Sequence, residues 1–273
     1  MRKRDRKISN PFSVGEYYPT NNCWDIEVLE YVTKTACKVK FISTGTTLTV
    51  KTSNLRKGTI RDPYHPWIHG IGYIGVGQHL TYSGRTESGG YCSTSAYSTW
   101  RGMLDRCYGA ESLKKTNKCY SDVTVCKEWH NFQNFADWYT VQKPATTEKL
   151  LLDKDLKIPG NKVYCPDSCT FVPARINSLF TGWISDRDLP RGVVRQQNGK
   201  FQAKMGDKCS SNSKKRTISL GTYSTEEEAF EAYVLHKNKL VKEVADSYRG
   251  LLDPIVYGNL ISGVFTKERT RND

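Results

Sequence analysis

"LLLDKDLKIPGNKVYCPDSC" occupies Leu150–Cys169 and runs on into "TFVPARINSLF". Three leucines ahead of the first aspartate predict a buried strand. Pro159-Gly160-Asn161 predicts a turn, and "KVYC" a second strand. A short loop follows, and "PARINSLF" predicts a helix. The expected unit is therefore a β-hairpin packed on a helix. Asp153 and Asp155 stand at the end of its first strand, with Lys154 between them. Side chains alternate along a strand, so the two carboxylates need not point the same way.

Upstream, "AYSTWRGMLDRCYG" places Tyr97, Trp100, Met103, Leu104 and Cys107 on one helical face. "VTVCKEWHNFQNFADWY" does the same with Trp129, Phe132, Phe135, Ala136 and Tyr139. A polar loop, "AESLKKTNKCYSD", separates them. With the hairpin they define a middle module over 97–185.

Downstream, "RGVVRQQNGKFQAKM" reads as two strands joined at Asn198-Gly199, and "KKRTISLGTY" as a third. "STEEEAFEAYVLHKNKLVKEVADSY" is a helix, with Ser224 and Glu227 as its capping box and three glutamates at the positive end of its dipole. Ala229, Ala232, Tyr233, Leu240 and Val244 form its expected buried stripe. One sheet face packs on this helix and the other is free. Between Pro190 and Ser219 stand eight Lys or Arg against one acid, Asp207. A small sheet with a basic free face can enter the DNA major groove. This module spans 189–250. The tail at 251–273 is expected to be loosely ordered.

The first module, 8–64, carries "WDIEVLEYV", "CKVKFISTG" and "TLTVKTSNL", three alternating segments that suit a small antiparallel barrel or meander. Lys34, Lys38 and Lys40 face either a nucleic acid or simply water, and a protein-docking role is also open. The Pro- and Gly-rich 65–96 is expected to be linker and loop. His65 and His69 are four apart, but the prolines and glycines around them argue against the helix that would make this a metal pair.

The whole chain has 273 residues, 37% of them hydrophobic, and a formal net charge of +13. That excess is the footprint of a polyanion, most often nucleic acid. No apolar run reaches the ~18 residues of a membrane span. "MRKRDRK" lacks the apolar segment of a secretory signal and reads as an arm touching phosphates or a disordered end. Nine cysteines, an odd number, read as reduced cytosolic thiols. The fold class expected is α+β, built as a small antiparallel β module, a ββα region and a three-stranded sheet on one helix.

Two stretches carry family resemblances. "RGVVRQQNGKFQAKM…ISLGTYSTEEEAFEAY" resembles the integrase-type DNA-binding domain of plant ethylene-response factors, copies of which end many phage nuclease-like proteins. The resemblance implies DNA contacts from Arg191, Gln196, Asn198 and Lys204, and Arg195, Lys200 and Arg216 join them by charge alone. Val194, Gly206, Thr217 and Ser219 stand where the plant proteins favour Arg or Trp. Phosphate-driven binding of double-stranded DNA with weak base preference is therefore expected.

"YSTWRGMLDRCY", "VTVCKEWHNFQNFADWY" and "LDKD…GNKVYCPDSCTFVPARINSL" resemble the His-Asn-His endonuclease-like proteins common in phages, from Tyr97 to Phe180. The resemblance implies a site that holds magnesium or manganese on Asp153 and on Asn177 of the helix. Lys154 stands where the histidine base belongs, and Ser168 near the usual loop asparagine. A lysine is charged at neutral pH unless desolvated or set beside a cation, and two aspartates act the other way. Charged Lys154 suits a phosphate contact instead. His130 either reaches the site or caps its own helix. Some relatives hold zinc on two Cys pairs. Cys165, Cys169, Cys119 and Cys126 are spaced more loosely and also suit buried packing.

The expectation is a DNA-binding protein of phage type, related to homing endonucleases, with a degenerate catalytic site, in the cytoplasm of an infected bacterium. Two rivals stand beside it. One is an active metal-dependent nicking or cleaving endonuclease. The other is an interaction protein that inhibits a host or defence enzyme, docking on a host protein through the β module.

Overall fold

A computed structural model describes residues 12–21, 25–110, 122–180, 189–207 and 216–264. The N-terminal arm, Cys23, Cys119 with most of its polar loop, Cys209 and the basic end of the tail lie outside the described residues. The chain divides into two compact units. One takes the residues up to Tyr97 with Lys127–Ala136, and the other takes the rest. The class is α+β, with several small, mostly antiparallel sheets and, among the described residues, six α-helices.

In the first unit β1 (Tyr17–Pro19), β2 (Asp25–Thr33), β3 (Ala36–Phe41) and β4 (Thr47–Lys51) form one antiparallel meander, closed by α1 (Thr52–Arg56). Alternation buries Ile26, Val28, Cys37, Val39 and Phe41 against Leu55 and Ile60. The meander has a fourth strand, β1, beyond the three expected. On the opposite face Lys38 Nζ lies 3.6 Å from Glu30 Oε1, and Lys40 stands in register with Glu27. Lys38 and Lys40 thus each face a glutamate of the neighbouring strand.

The segment after Asp62 forms turns, not a helix, and His69 has φ 53°. His65 and His69 therefore share no helical face. The Gln133 amide ties this segment down, donating to His79 O at 3.1 Å and accepting from His79 N at 2.9 Å. Part of the expected linker is a hairpin, β5 (Tyr82–Arg85) with β6 (Tyr91–Ser93).

The second unit contains most of α2 (Ser95–Tyr108), β7 (Thr124–Val125), the end of α3 (Phe132–Gln142), β8 (Leu150–Asp153), β9 (Val163–Tyr164), β10 (Thr170–Pro173) and α4 (Ala174–Phe180). Then come β11 (Val193–Arg195), β12 (Phe201–Asp207), β13 (Arg216–Tyr223), α5 (Glu226–Ser247) and α6 (Pro254–Ile261). Trp138 and Tyr139 of α3 pack their rings on Phe171 of β10, at 5.4 and 5.2 Å.

Strands β11–β12–β13 form the expected three-stranded antiparallel sheet. Val193, Ala203 and Met205 pack on Ala229 and Tyr233 of α5. Gly192 has φ 85°, and a Cβ there would meet the Tyr233 ring at 2.1 Å, so both backbone and packing require glycine. The capping box is Thr225 with Glu228, one residue beyond the expected pair. Thr225 Oγ1 accepts from Glu228 N, and the Glu228 carboxylate accepts from Thr225 N.

Helix α5 serves two cores. Its first half packs on the sheet. Its second half, through Val241 and Ala245, joins Leu156, Val172, Ile176, Leu179, Leu252, Val256 and Leu260. Residues 254–261, expected to be loose, are thus a helix whose Val256 and Leu260 are buried.

Candidate functional site

The strand ending in Asp153 does not pair where the turn chemistry points. β8 is antiparallel to β10, with Asp153 opposite Thr170 and Leu150 opposite Pro173. The expected partner, β9, instead runs parallel to β7. Burial explains the choice. Phe171 and Val172 are buried, whereas Val163 is exposed. The hairpin with the more apolar inner face forms, and residues 154–169 become its long connection, a loop that includes β9.

Within this loop Asp153 Oδ1 accepts from Asp155 N at 2.9 Å and Leu156 N at 2.7 Å, turning the chain out of the strand. Lys154 points inward, with a side chain 12% exposed. Its Nζ lies 3.3 Å from Asp155 Oδ2 and donates to Asn161 O at 3.1 Å. Asn161 answers, and its Nδ2 donates to Lys154 O at 2.6 Å and Val163 O at 2.7 Å. The residue that braces the Lys154 backbone is therefore Asn161. It sits in the "PGN" turn, and its side-chain role had no separate signal. Ser168 works on another part of the loop. It donates to Val163 O at 2.8 Å and lies 3.1 Å from Cys165 Sγ.

Asn177 is half-buried on α4. No hydrogen bond ties its side chain to the described residues. His130 ends the 3₁₀ turn Lys127–His130 in the first unit, where its carbonyl accepts from Tyr73 N at 2.9 Å. Burial pushes the Cys169 thiol up to about 12. Burial also raises Cys107 to about 11, against the opposing charges of Arg106 and Lys154. Cys126 and Cys165 follow the paired strands β7 and β9, and Cys126 N donates to Tyr164 O at 2.9 Å. Among the described residues no three His, Cys, Asp or Glu side chains gather as a metal site.

The sheet module presents a different balance. On its free face Val194 stands opposite Gln202, Gln202 opposite Thr222, and Lys204 opposite Ser219. Gln202 Nε2 donates to Ser219 Oγ at 2.8 Å across that face. Alternation puts Arg195 on the helix side with Val193, and its guanidinium lies 5.2 Å from the Phe201 ring centroid. The register thus separates Arg195 from Lys204.

Arg191 is half-buried near Tyr233, and its charge partly offsets the rise that burial imposes on that phenol. Gln196, Asn198 and Lys200 belong to the β11–β12 turn. There Gly199 N donates to Gln196 O at 3.0 Å and Asn198 Oδ1 accepts from Lys200 N at 3.1 Å. Arg216 opens β13 opposite Asp207, and both side chains lie outside the described residues. Among the described residues neither Lys200 nor Lys204 has an ion-pair partner. Around the Asp153 loop, by contrast, Lys154 pairs with Asp155, Lys157 with Asp253 and Lys162 with Asp122.

No helix among the described residues is long and apolar enough to cross a membrane. The chain matches no known family, no curated protein and no solved structure.

Proposed function

We propose that this chain binds double-stranded DNA through the β11–β13 module, and that the Asp153 loop is a retained scaffold, not a cutting site. The observation that carries this reading is the distribution of unpaired cations. Lys200 and Lys204 have no acidic partner among the described residues, whereas Lys154, Lys157 and Lys162 of the loop each have a carboxylate partner. The net charge of +13 supports a polyanionic partner. The resemblance to integrase-type domains supports DNA.

The free face around Lys204 carries the apolar or short Val194, Ser219 and Thr222, and its Gln202 amide is engaged by Ser219. Phosphate contacts therefore dominate, and affinity falls steeply with salt. Cleavage would need magnesium or manganese on Asp153 and Asn177, and a base at Lys154. Asp153 Oδ1 is already engaged by two backbone amides, and the Lys154 ammonium by Asp155 and a carbonyl. An ammonium held by a carboxylate and a carbonyl does not fit the role of base for a metal-activated water. The protein is placed on this reading among phage-type relatives of homing endonucleases, acting in the cytoplasm of the infected cell.

The test is a titration of duplex DNA at several salt concentrations. Binding should weaken alike for unrelated sequences as salt rises. Lys200→Ala with Lys204→Ala should flatten the slope of log K against log[salt] by about two. An unchanged slope would remove the sheet as the DNA face.

A further inference from the structure

Helix α6 meets the Asp153 loop in three ways. Asn259 Nδ2 donates to Leu156 O at 3.1 Å and to Lys157 O at 3.0 Å. Lys157 Nζ lies 3.7 Å from Asp253 Oδ2, on the residue that caps α6 through Ile255 N. Leu156 is fully buried in the cluster that holds Val256 and Leu260. Between β8 and β9 the loop has no strand or helix to hold its backbone. A backbone hydrogen bond from Asn161 N to Ile158 O closes its turn, and side chains hold much of the rest, Asp153 reaching as far as Leu156 N and Asn161 joining Lys154 O to Val163 O.

We infer that Asn259 is a positioning residue for this loop. It holds the carbonyls of Leu156 and Lys157, so that the turns made by Asp153 and Asn161 belong to a segment tethered to α6. The loop that presents Asp153 and Lys154 is then completed by a residue about a hundred positions downstream, and α6 is part of the site. The inference rests on the proposed function only in treating this loop as the former centre.

Amide hydrogen exchange on the full chain tests it, with no DNA present, so failure of DNA binding would leave it standing. Asn259→Asp keeps the shape, loses the donors and faces two carbonyls with a carboxylate. It should speed exchange at Asp155–Asn161 by about tenfold or more. Exchange in β12 and β13 should stay within twofold. Asn259→Ala should give the same pattern more mildly. Ile255→Ala, on the exposed side of α6, should leave the loop unchanged. Loop exchange unaltered by Asn259→Asp would overturn the inference. So would an equal rise in the loop and in β12–β13, which marks general destabilisation only.

Discussion

The Lys154 ammonium lies 3.3 Å from the Asp155 carboxylate, and both side chains are mostly withdrawn from water, 12% and 20% exposed. A charge so placed interacts with its partner more than with a passing phosphate. Lys154→Met should therefore cost about 1–3 kcal/mol in denaturant unfolding, because it removes the cation beside a mostly buried carboxylate. DNA affinity should stay within about twofold, since no phosphate contact is lost. Lost affinity with unchanged stability would make Lys154 a phosphate ligand.

Gly192 and Tyr233 lock the sheet to α5. Gly192→Ala adds left-handed strain to a ring clash and should destabilise the fold by roughly 2–4 kcal/mol. Thermal unfolding reads this directly. DNA affinity of the fraction that remains folded at low temperature should fall as well, because the strand carrying Val194 is displaced.

Leu260 is 2% exposed and belongs to the core shared by α4, α5 and the loop. Leu260→Ala should cost about 2–5 kcal/mol. A loss below 0.5 kcal/mol, on the order of a surface substitution, would mean that the C-terminal helix is not part of the cooperative fold.

Cys169 and Cys107 set an alkaline limit. Burial raises both thiols, to about 12 and about 11, above the ordinary value of 9.0. The folded state thus holds these protons more tightly than the unfolded state. Their stabilising contribution is intact below pH 9 and is lost as pH rises towards the folded values. Stability should decline over that window. Cys169→Ala should soften the decline, and equal slopes for both proteins would contradict the assignment.

Much of this architecture is legible in the sequence where the pattern is local. The apolar spacing of α5, the Asn198-Gly199 turn and the alternation of β2 and β3 each follow from neighbouring residues. The partner of β8 does not, because pairing is decided by which distant strand buries more, and Phe171-Val172 outweighs Val163-Tyr164. β1 is three residues long, too short to show a period. Helix α6 is eight residues, and a helix of that length depends on tertiary packing. Asp253 followed by Pro254 was its one available signal, a cap with proline at the first helical position.

At the candidate site, Asp153 was visible as the end of an apolar strand. The bracing role of Asn161 was not, since an asparagine after Pro-Gly reads first as a turn residue. Nor was the inward turn of Lys154, which depends on a carbonyl seven residues away.

The most direct test of the central claim is incubation with supercoiled plasmid in magnesium, in manganese and in EDTA, reading gel shift and nicking together. A salt-sensitive shift in all three and no nicked product is the expected result. Nicking that requires a divalent metal and disappears in Asp153→Ala would contradict it, and would mean that the Asp153 loop still cuts.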